Sequence, residues 1–205
     1  MIECIELYGA NTGNSLRAAI SLAEAGVPFF VRRLDLRAGD QNQPDYLKLN
    51  PAGKVPTLVD NTYSPPLIIN QSNAIIHYAD AKVPNHLMPS EPGPTRLRVY
   101  DRFFYFVTDV IATSHAGFFL HQLDLNEAAR PLDERALENM KRAEAFLEGD
   151  FMAGDAFSMA DIAAFTWALS VKKQLPWKQL PRMKRWFEVM SERPGVRIGL
   201  RAFQE

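Results

Sequence analysis

A proline-rich segment near the middle of the chain constrains the fold more than any other feature. Residues 82–94 contain four prolines and one glycine, which are Pro84, Pro89, Pro92, Gly93 and Pro94. Proline lacks a backbone N–H donor and its ring blocks the preceding helical turn, so such a segment forms neither a helix interior nor a paired strand. We predict a linker at residues 82–94, which joins one domain at 1–81 to a second at 95–205.

The chain before the linker alternates between strand and helix patterns. Short apolar runs predict strands, and apolar residues at helical spacing predict helices. The predicted strands are residues 2–7, 29–34, 55–59 and 67–69. The predicted helices are residues 15–25 and 73–81, with a weak helix in the irregular stretch between the second and third strands. This order predicts a small α/β domain with helices packed on one mixed sheet, in which the last two strands form a hairpin.

The chain after the linker carries only helical periods. The predicted helices are residues 96–120, 132–147, 159–171 and 181–192. No strand pattern interrupts them. We therefore predict an all-α second domain.

The charge balance argues against nucleic-acid binding. Lys and Arg total 23 and Asp and Glu total 24, which gives a net charge of −1. Binding to nucleic-acid phosphates requires a sustained basic surface. We expect no nucleic-acid partner.

Disulfides, metal sites and membrane segments are also disfavoured. Cys4 is the single cysteine, so no intrachain disulfide forms, and we expect a reducing, cytoplasmic location. His115 and His121 are six residues apart, which is not a spacing that brings two side chains together on a helix. No run approaches the roughly 18 consecutive apolar residues of a membrane span, and the first residues lack the pattern of a secretory signal. We expect no bound metal and no membrane partner.

The sequence around Pro56 indicates a backbone that is used for something other than strand pairing. Pro56 directly precedes an apolar strand, where proline is normally confined to an edge or a bulge. With a cis Val55–Pro56 bond, the N–H and C=O of Val55 would point outward and could pair with an extended peptide ligand. With a trans bond, Pro56 would be an ordinary edge proline. The motif alone leaves both interpretations open.

Polar residues 70–72 lie where the hairpin ends and the next helix begins. Ser72 is the predicted N-cap, and the first free N–H groups of that helix would attract a carboxylate. The Gln71 amide donates and accepts hydrogen bonds, which suits an amino-acid head with a carboxylate and an ammonium group. A purely structural cap is the alternative.

A polar turn at residues 8–15 joins the first strand to the first helix. It lacks the glycine and lysine spacings of nucleotide-binding loops, so we expect no nucleotide there. It offers hydroxyl and amide groups at a helix start, a position where α/β folds place reactive groups.

Together these segments resemble the glutathione S-transferases over the whole chain. The resemblance rests on the Thr12-Gly13-Asn14-Ser15 turn, the Asn-Pro-x-Gly-Lys-Val-Pro pattern at residues 50–56 and the Gln-Ser-x-Ala-Ile-Ile pattern at 71–76. It identifies a cytosolic-type, bacterial-like member with a serine/threonine turn. It implies the glutathione S-transferase fold, with an α/β thioredoxin-like N-terminal domain and an all-α helical-bundle C-terminal domain. Ser158 and Asp161 look like the family's buried capping box.

The resemblance also implies a glutathione site. Pro56 would be cis, glutathione would pair with the Val55 backbone, and its γ-glutamyl head would be held by Gln71 and Ser72. Lys54 and Gln41 would approach the glycine carboxylate.

Thr12 stands where members with this turn usually have a serine that donates to the glutathione sulfur. Its β-branching restricts χ1, which limits where the hydroxyl can point. The other candidates for thiol activation are Tyr8, Asn11, Asn14 and Ser15. No cysteine lies in this loop, which argues against the thiol-transferring classes.

The implied activity is conjugation of glutathione to a small hydrophobic electrophile. The electrophile would lie against the aromatic-rich part of the helical domain, with Phe104, Tyr105 and Thr108 as candidate contacts. The resemblance implies a cytoplasmic homodimer with a role in detoxification. The alternatives are a non-catalytic glutathione-binding or regulatory module of the same fold, and an enzyme that uses glutathione for isomerisation, reductive dehalogenation or peroxide reduction.

Overall fold

The computed structural model describes residues 4–204, and the predicted strand at 2–7 therefore lies partly outside the described residues. The chain divides into two compact units. The first contains residues up to 87 together with those from 192 onward, and the second contains residues 88–191.

The first unit is built on a four-stranded mixed sheet with the strand order β2-β1-β3-β4. The strands are β1 (Ile5–Gly9), β2 (Phe30–Arg33), β3 (Thr57–Asp60) and β4 (Leu67–Ile69). β1 is parallel to β2 and antiparallel to β3, and β3 and β4 form the predicted hairpin. Every residue of β3 is buried, because this strand is central and covered on both faces.

The helices of this unit begin and end where local sequence dictates. They are α1 (Gly13–Glu24), a 3₁₀ turn (Asp40–Asn42), α2 (Pro44–Leu49), α3 (Ser72–Lys82) and α9 (Pro194–Arg201). Gly26 follows α1 with a φ of 67°, the left-handed region that glycine adopts without a Cβ clash. Pro44 and Pro194 occupy the first positions of α2 and α9, where the missing N–H is not needed.

Asp60 ties β3 to α3. Its buried carboxylate accepts hydrogen bonds from the Tyr78 hydroxyl at 2.7 Å and forms an ion pair with Lys82 at 2.9 Å. Burial opposes ionisation of this carboxyl, but hydrogen bonds from Thr62, Tyr78 and Lys82 outweigh it and hold the pKa of Asp60 well below its usual range. The contact fixes α3 against the sheet.

Helix α9 is absent from the sequence-based prediction, and it packs on α1. Gly195 and Gly199 are both buried, and a Cβ built on Gly199 would lie 2.6 Å from the Ile20 backbone N and Cα atoms. The Glu24 carboxylate accepts from Arg193 at 2.6 Å and from the Val196 N–H at 3.0 Å. The predicted helical domain ran over 95–205, whereas the structure places residues from 192 onward with the first unit.

The second unit is helical, as predicted. One continuous helix runs from Pro94 to Gln122, in the order α4 (Pro94–Phe104), a π-helical stretch (Tyr105–Ala112) and α5 (Thr113–Gln122). The remaining helices are α6 (Asn126–Arg142), α7 (Met159–Ser170) and α8 (Pro181–Glu192), with 3₁₀ turns at Ala143–Phe146 and Trp177–Gln179. The prediction began the second helix at 132, whereas α6 begins at Asn126 and continues through Pro131.

Helix α7 is the centre of this unit. Its residues from Met159 to Ala168 are all buried, and its start carries the capping box of Ser158 and Asp161 that the sequence predicts. The Asp161 carboxylate is fully buried and accepts from the Ser158 N–H at 2.9 Å.

The helix Pro94–Gln122 is the one candidate membrane span in the described part of the chain. It meets the length and composition of a span, and 28% of its most apolar window is buried. A single such helix is weak support for a span, because core helices of water-soluble proteins meet the same criterion. The absence of a membrane partner stays a prediction.

Candidate active site

Thr12 is the N-cap of α1, at the end of the polar turn that follows β1. Its Oγ1 accepts a hydrogen bond from the Ser15 N–H at 3.3 Å and donates to Ser15 Oγ at 3.0 Å. Thr12 is half-buried, whereas Ser15 is fully buried. The positive end of the α1 dipole therefore lies directly behind a hydroxyl that a ligand can reach.

The other candidates for thiol activation are placed less favourably. Ser15 is shielded from any ligand by its burial. The Asn14 Oδ1 accepts from Arg17 at 2.8 Å. The Tyr8 hydroxyl lies 3.4 Å from a Glu6 carboxylate oxygen, and burial followed by the Glu6 charge raises the pKa of Tyr8. Asn11 is exposed, but an amide donates less strongly than a hydroxyl that a second hydroxyl polarises.

The Val55–Pro56 peptide bond is cis, as the resemblance implies. The loop that carries it is folded by Asn50, whose Nδ2 donates to the Lys54 carbonyl at 2.6 Å and whose Oδ1 accepts from the Ala52 N–H at 3.1 Å. Gly53 has a φ of 59°, which a residue with a Cβ rarely adopts. In the sheet register Tyr8 is opposite Thr57. The residue before Thr57 is Pro56, so the cis bond lies beside the end of β1.

A buried hydrogen-bond network joins this loop to the start of α3. Thr57 Oγ1 lies 2.9 Å from the Tyr46 hydroxyl and donates to Asn70 Oδ1 at 2.9 Å. The Tyr46 hydroxyl also donates to the Lys54 carbonyl at 2.6 Å, and Asn70 Nδ2 donates to the Leu49 carbonyl at 3.0 Å. The network therefore fixes the two predicted binding segments relative to each other within the first unit.

The prediction that Ser72 is the N-cap of α3 is wrong by one residue. Gln71 has extended dihedrals and is the N-cap, although its side chain makes no capping bond, and Ser72 is the first helical residue. Ser72 is 7% exposed, and Gln71 is exposed. The N–H groups of the first turn of α3 remain available to a carboxylate.

Arg17 is the residue of this site that the sequence reasoning missed. It is 3% exposed, and its Nη1 donates to Asn14 Oδ1 at 2.8 Å and to Ser72 Oγ at 3.1 Å. Burial lowers the pKa of Arg17 to about 10, so the guanidinium is still charged at neutral pH. A buried positive charge therefore links the starts of α1 and α3, and the signal in the sequence was an arginine among the apolar residues of α1.

Matches to family models decide which family this fold and site belong to. The glutathione S-transferase N-terminal domain matches residues 4–81, and the glutathione S-transferase C-terminal domain matches residues 107–194. The chain belongs to the glutathione S-transferase family. The predicted thioredoxin-like and all-helical domains of the glutathione S-transferase fold are confirmed.

Individual relatives extend this similarity over nearly the whole chain. Glutathione S-transferase F10 of Arabidopsis thaliana is 32% identical over 210 residues, which cover 92% of this chain and 93% of that protein. Glutathione S-transferase GstB of Escherichia coli strain K12 is 25% identical over 204 residues, with coverage of 94% and 96%. The solved structure of a glutathione transferase family member from Pseudomonas fluorescens pf-5, with two glutathione bound, has a TM-score of 0.81 and 23% identity, and covers 97% of this chain and 92% of that one.

The residues predicted to approach the glycine carboxylate lie on two adjacent segments of the first unit. Lys54 is exposed beside Gly53, and a Cβ built on Gly53 would lie 3.3 Å from the Gln41 carbonyl. Gln41 Oε1 is buried and has no hydrogen-bond partner among residues 4–204, while its Nε2 donates to the Leu36 carbonyl at 3.4 Å. The Gln41 amide is therefore weakly held in this structure.

The three candidate electrophile contacts have different surroundings. Phe104 is 51% exposed and stacks on Tyr100 at a centroid distance of 6.2 Å. Thr108 is exposed and donates to the Phe104 carbonyl at 2.9 Å. Tyr105 is directed into the helical unit, where its hydroxyl donates to the Asn139 carbonyl at 2.7 Å. Phe104 and Thr108 are thus the accessible members of the set.

The described part of the second unit also contains a cavity of about 340 Å³. Its lining includes Arg98, Arg102, Phe146, Glu148, Met152 and Asp155, and none of the predicted contact residues. No group of three or more His, Cys, Asp or Glu side chains within residues 4–204 is arranged to hold a metal ion. The expectation of no metal stays a prediction.

Proposed function

We propose that this transferase conjugates the thiolate of glutathione to a small hydrophobic electrophile. The observation that carries the proposal is the sheet register, which pairs Tyr8 with Thr57 and so brings the Val55–Pro56 segment beside the end of β1. The half-buried Thr12 hydroxyl follows that strand at the start of α1. Relatives named glutathione S-transferases and structural neighbours with bound glutathione support glutathione as the co-substrate.

Thr12 is the proposed donor to the thiolate. Lowering a thiol pKa by two units from about 8.5 requires roughly 2.7 kcal/mol of thiolate stabilisation. A hydrogen bond to a charged group contributes about 1.5 to 3 kcal/mol, and a helix N-terminus adds about 0.3 to 1 kcal/mol. Together they supply about 1.8 to 4 kcal/mol, a range that includes the required stabilisation.

The Thr12 hydroxyl donates its one proton to Ser15 Oγ at 3.0 Å, so it would donate to a sulfur after this proton turns away from Ser15. When Thr12 donates to the sulfur, Ser15 can donate to Thr12 Oγ1 across their 3.0 Å separation. Such a chain of hydroxyls polarises each bond and strengthens the donor at its end.

The γ-glutamyl carboxylate is proposed to bind at the start of α3. Ser72 Oγ and the free N–H groups of that turn are donors, and the buried Arg17 charge behind Ser72 adds a favourable potential. Val55 would pair with the peptide backbone of glutathione, and Gln71, Lys54 and Gln41 would hold its two charged ends.

The proposed reaction is attack of the thiolate on an electrophilic carbon. The sulfur forms a new C–S bond, and the leaving group departs with its bonding pair, or an activated double bond accepts that pair and then a proton. Holding both substrates together supplies much of the rate increase. Phe104 and Thr108 are the proposed electrophile contacts. Tyr105 would support the helix that carries them, through its hydrogen bond to the Asn139 carbonyl.

We expect Thr12→Val to raise the thiol pKa of bound glutathione by about one unit, which from a pKa near 6.5 is about a threefold loss of thiolate at pH 7. Valine preserves the shape of threonine and deletes the donor. Thr12→Ser should be as active as the wild type or better, because it keeps the oxygen and frees the rotamer. The measurement is thiolate absorbance of the binary complex against pH, together with turnover of a generic aryl halide.

An unchanged pKa and unchanged turnover in Thr12→Val would assign the donor to Asn11, Asn14, Ser15 or Tyr8. If the wild type binds glutathione but neither ionises nor conjugates it, the non-catalytic module becomes the better account. Turnover of an isomerisable, halogenated or peroxide substrate instead of the aryl halide would support the second enzymatic alternative.

We expect Arg17→Met to weaken glutathione binding by about 2 kcal/mol, since a charge behind the carboxylate site is lost. Ser72→Ala should weaken binding by about 1 to 3 kcal/mol, because the buried carboxylate loses a donor. Because Arg17 donates to Ser72, the double variant should lose less than the sum of the two single changes. Titration calorimetry measures all three, and Glu148→Ala, on the exposed surface of the second unit, is the control.

Strictly additive losses would mean that Arg17 and Ser72 act independently. An unchanged affinity in a folded Arg17→Met protein would reduce Arg17 to a structural residue. If that variant does not fold, Arg17→Gln tests the same point, because it removes the charge and keeps an amide that can donate to Ser72.

Assembly as a homodimer is proposed on the exposed apolar side chains of the described residues. Phe118 and Phe119 are each more than half exposed on the long helix of the second unit. Exposed apolar surface of this kind is typical of protein interfaces. Light scattering of the purified protein tests the state. A cytoplasmic location and a role in detoxification stay predictions.

A further inference from the structure

The C-terminal segment of the chain returns to the turn that carries Thr12. Phe203 is 2% exposed, and its ring lies against Gly9 at the end of β1. A Cβ built on Gly9 would lie 2.6 Å from Phe203 Cζ and 2.8 Å from Cε1. Gly9 therefore has to be a glycine for the ring to occupy this place.

The same small volume also contains the Ser15 hydroxyl. The Cβ built on Gly9 would lie 2.9 Å from Ser15 Oγ. Ser15 Oγ is the atom that pairs with Thr12 Oγ1 at 3.0 Å, and it accepts from the Ala10 N–H at 3.4 Å. The Phe203 ring and the Ser15 hydroxyl thus fill one space behind the proposed thiol donor.

The segment that supplies Phe203 is anchored on both sides of the ring. Before it, α9 packs on α1 through Gly195 and Gly199. After it, the Gln204 carbonyl accepts from the Arg33 guanidinium at 3.2 Å. These contacts all lie within the first unit, so the position of the ring is set by the domain that carries the turn.

We propose that Phe203 is a positioning residue for thiol ionisation, which holds the Ser15 hydroxyl in its bond with Thr12. The inference rests on the proposed function of Thr12. A serine side chain has three staggered rotamers, and a ring that fills the space beside Gly9, where Ser15 Oγ also lies, would limit its freedom to leave the one that meets Thr12. Without the ring, Ser15 can rotate into the vacated space and the hydroxyl pair is broken.

The test is the thiol pKa of glutathione bound to Phe203→Ala, measured by thiolate absorbance against pH on the full chain. We expect this pKa to rise by about one unit, which from a pKa near 6.5 is about a threefold loss of thiolate at pH 7. At pH 5.5, where the thiol of bound glutathione is mostly protonated in both proteins, the affinity should stay within about twofold, because Ser72 and Arg17 are untouched. Phe203→Leu should give an intermediate pKa, since leucine fills part of the space.

Val196→Ala is the matched control, because Val196 is fully buried in α9 and lies outside the proposed binding residues. It should lower stability and leave the thiol pKa at the wild-type value. An equal rise of the pKa in Val196→Ala would overturn the specific role of the ring. A wild-type thiol pKa of glutathione bound to folded Phe203→Ala would also overturn the role of the ring.

The thiol pKa of glutathione bound to the wild type separates a failure of the proposed function from a failure of the positioning role alone. If glutathione bound to the wild-type protein ionises no more readily than free glutathione, the proposed function fails and the positioning role fails with it. If the wild type lowers the thiol pKa and both Phe203 variants do so equally, only the positioning role fails. Should Phe203→Ala not fold, Phe203→Leu decides, and a wild-type thiol pKa in that variant refutes the proposal.

Discussion

Replacement of Asp161 by alanine is expected to lower the free energy of unfolding by roughly 4 kcal/mol at neutral pH, since buried donors lose their acceptor. The Asp161 carboxylate accepts from the Ser158 N–H, the Met152 N–H and the Trp186 indole, each at 2.9 Å, and from Ser158 Oγ at 3.1 Å. Each orphaned donor costs about 1 to 3 kcal/mol in a site without water. Chemical denaturation measures the loss, and Glu148→Ala, on the surface of the same unit, should be nearly neutral.

The size of that loss should depend on pH. Burial raises the pKa of Asp161 to about 6, although four hydrogen bonds oppose the rise. The folded protein therefore holds this proton more tightly than the unfolded chain, whose carboxyl has a pKa near 3.8. Protonated Asp161 therefore adds to the free energy of unfolding. This contribution is complete below pH 3.8, and it is lost as the pH rises through the folded-state pKa of about 6.

The alanine variant lacks this titration, so the loss of stability caused by the substitution should grow by roughly 2.4 kcal/mol as the pH is lowered from 7 to 4. The comparison of the two proteins cancels the carboxyl groups that they share. A penalty that is constant over this range would mean that Asp161 titrates normally in the folded protein.

The order of strands and helices could be predicted because each element carries its own local pattern. Gly26 and Pro28 end α1, and the alternation of short apolar runs specifies the β3–β4 hairpin. The capping box was also readable, since Ser158 and Asp161 are three residues apart and act within one helical turn.

Helix α9 could not be predicted in the same way. Its sequence contains Pro194, Gly195 and Gly199, and two glycines lower the intrinsic helix propensity by about 1 kcal/mol each. The helix forms because those glycines permit close approach to α1, and that gain depends on residues far away in the sequence.

In the site, too, residues within short sequence motifs could be predicted, whereas a contact between residues far apart in the sequence could not. Thr12, Pro56 and Ser72 lie in sequence motifs and were predicted, although the helix start at Ser72 was displaced by one residue. Arg17 was missed because an arginine within a helix is usually solvated. Its contact with Ser72 joins residues 55 positions apart, and no local pattern reports it.

We expect Gly199→Ala to lower the free energy of unfolding by about 3 kcal/mol, because overpacking at a helix contact cannot be relieved cheaply. Alanine is the better helix former by about 1 kcal/mol, so a glycine without close neighbours would give the opposite sign. The new Cβ would lie 2.5 Å from Ile20 Cγ1 and 2.6 Å from the Ile20 backbone N and Cα. Ile198→Ala, at a position 58% exposed on the same helix, is the control and should be nearly neutral.

The double variant Gly199→Ala with Ile20→Ala identifies which atoms resist the new methyl group. Trimming Ile20 removes its Cγ1 but leaves the backbone N and Cα in place, so stability should not recover. Because α9 carries Phe203 to the Thr12 turn, Gly199→Ala should also raise the thiol pKa of bound glutathione, whereas Ile198→Ala should not. Recovery of stability in the double variant would show that the contact between α1 and α9 is limited by side chains. A loss of stability without a change in thiol pKa would show that the turn keeps its geometry without the docked helix.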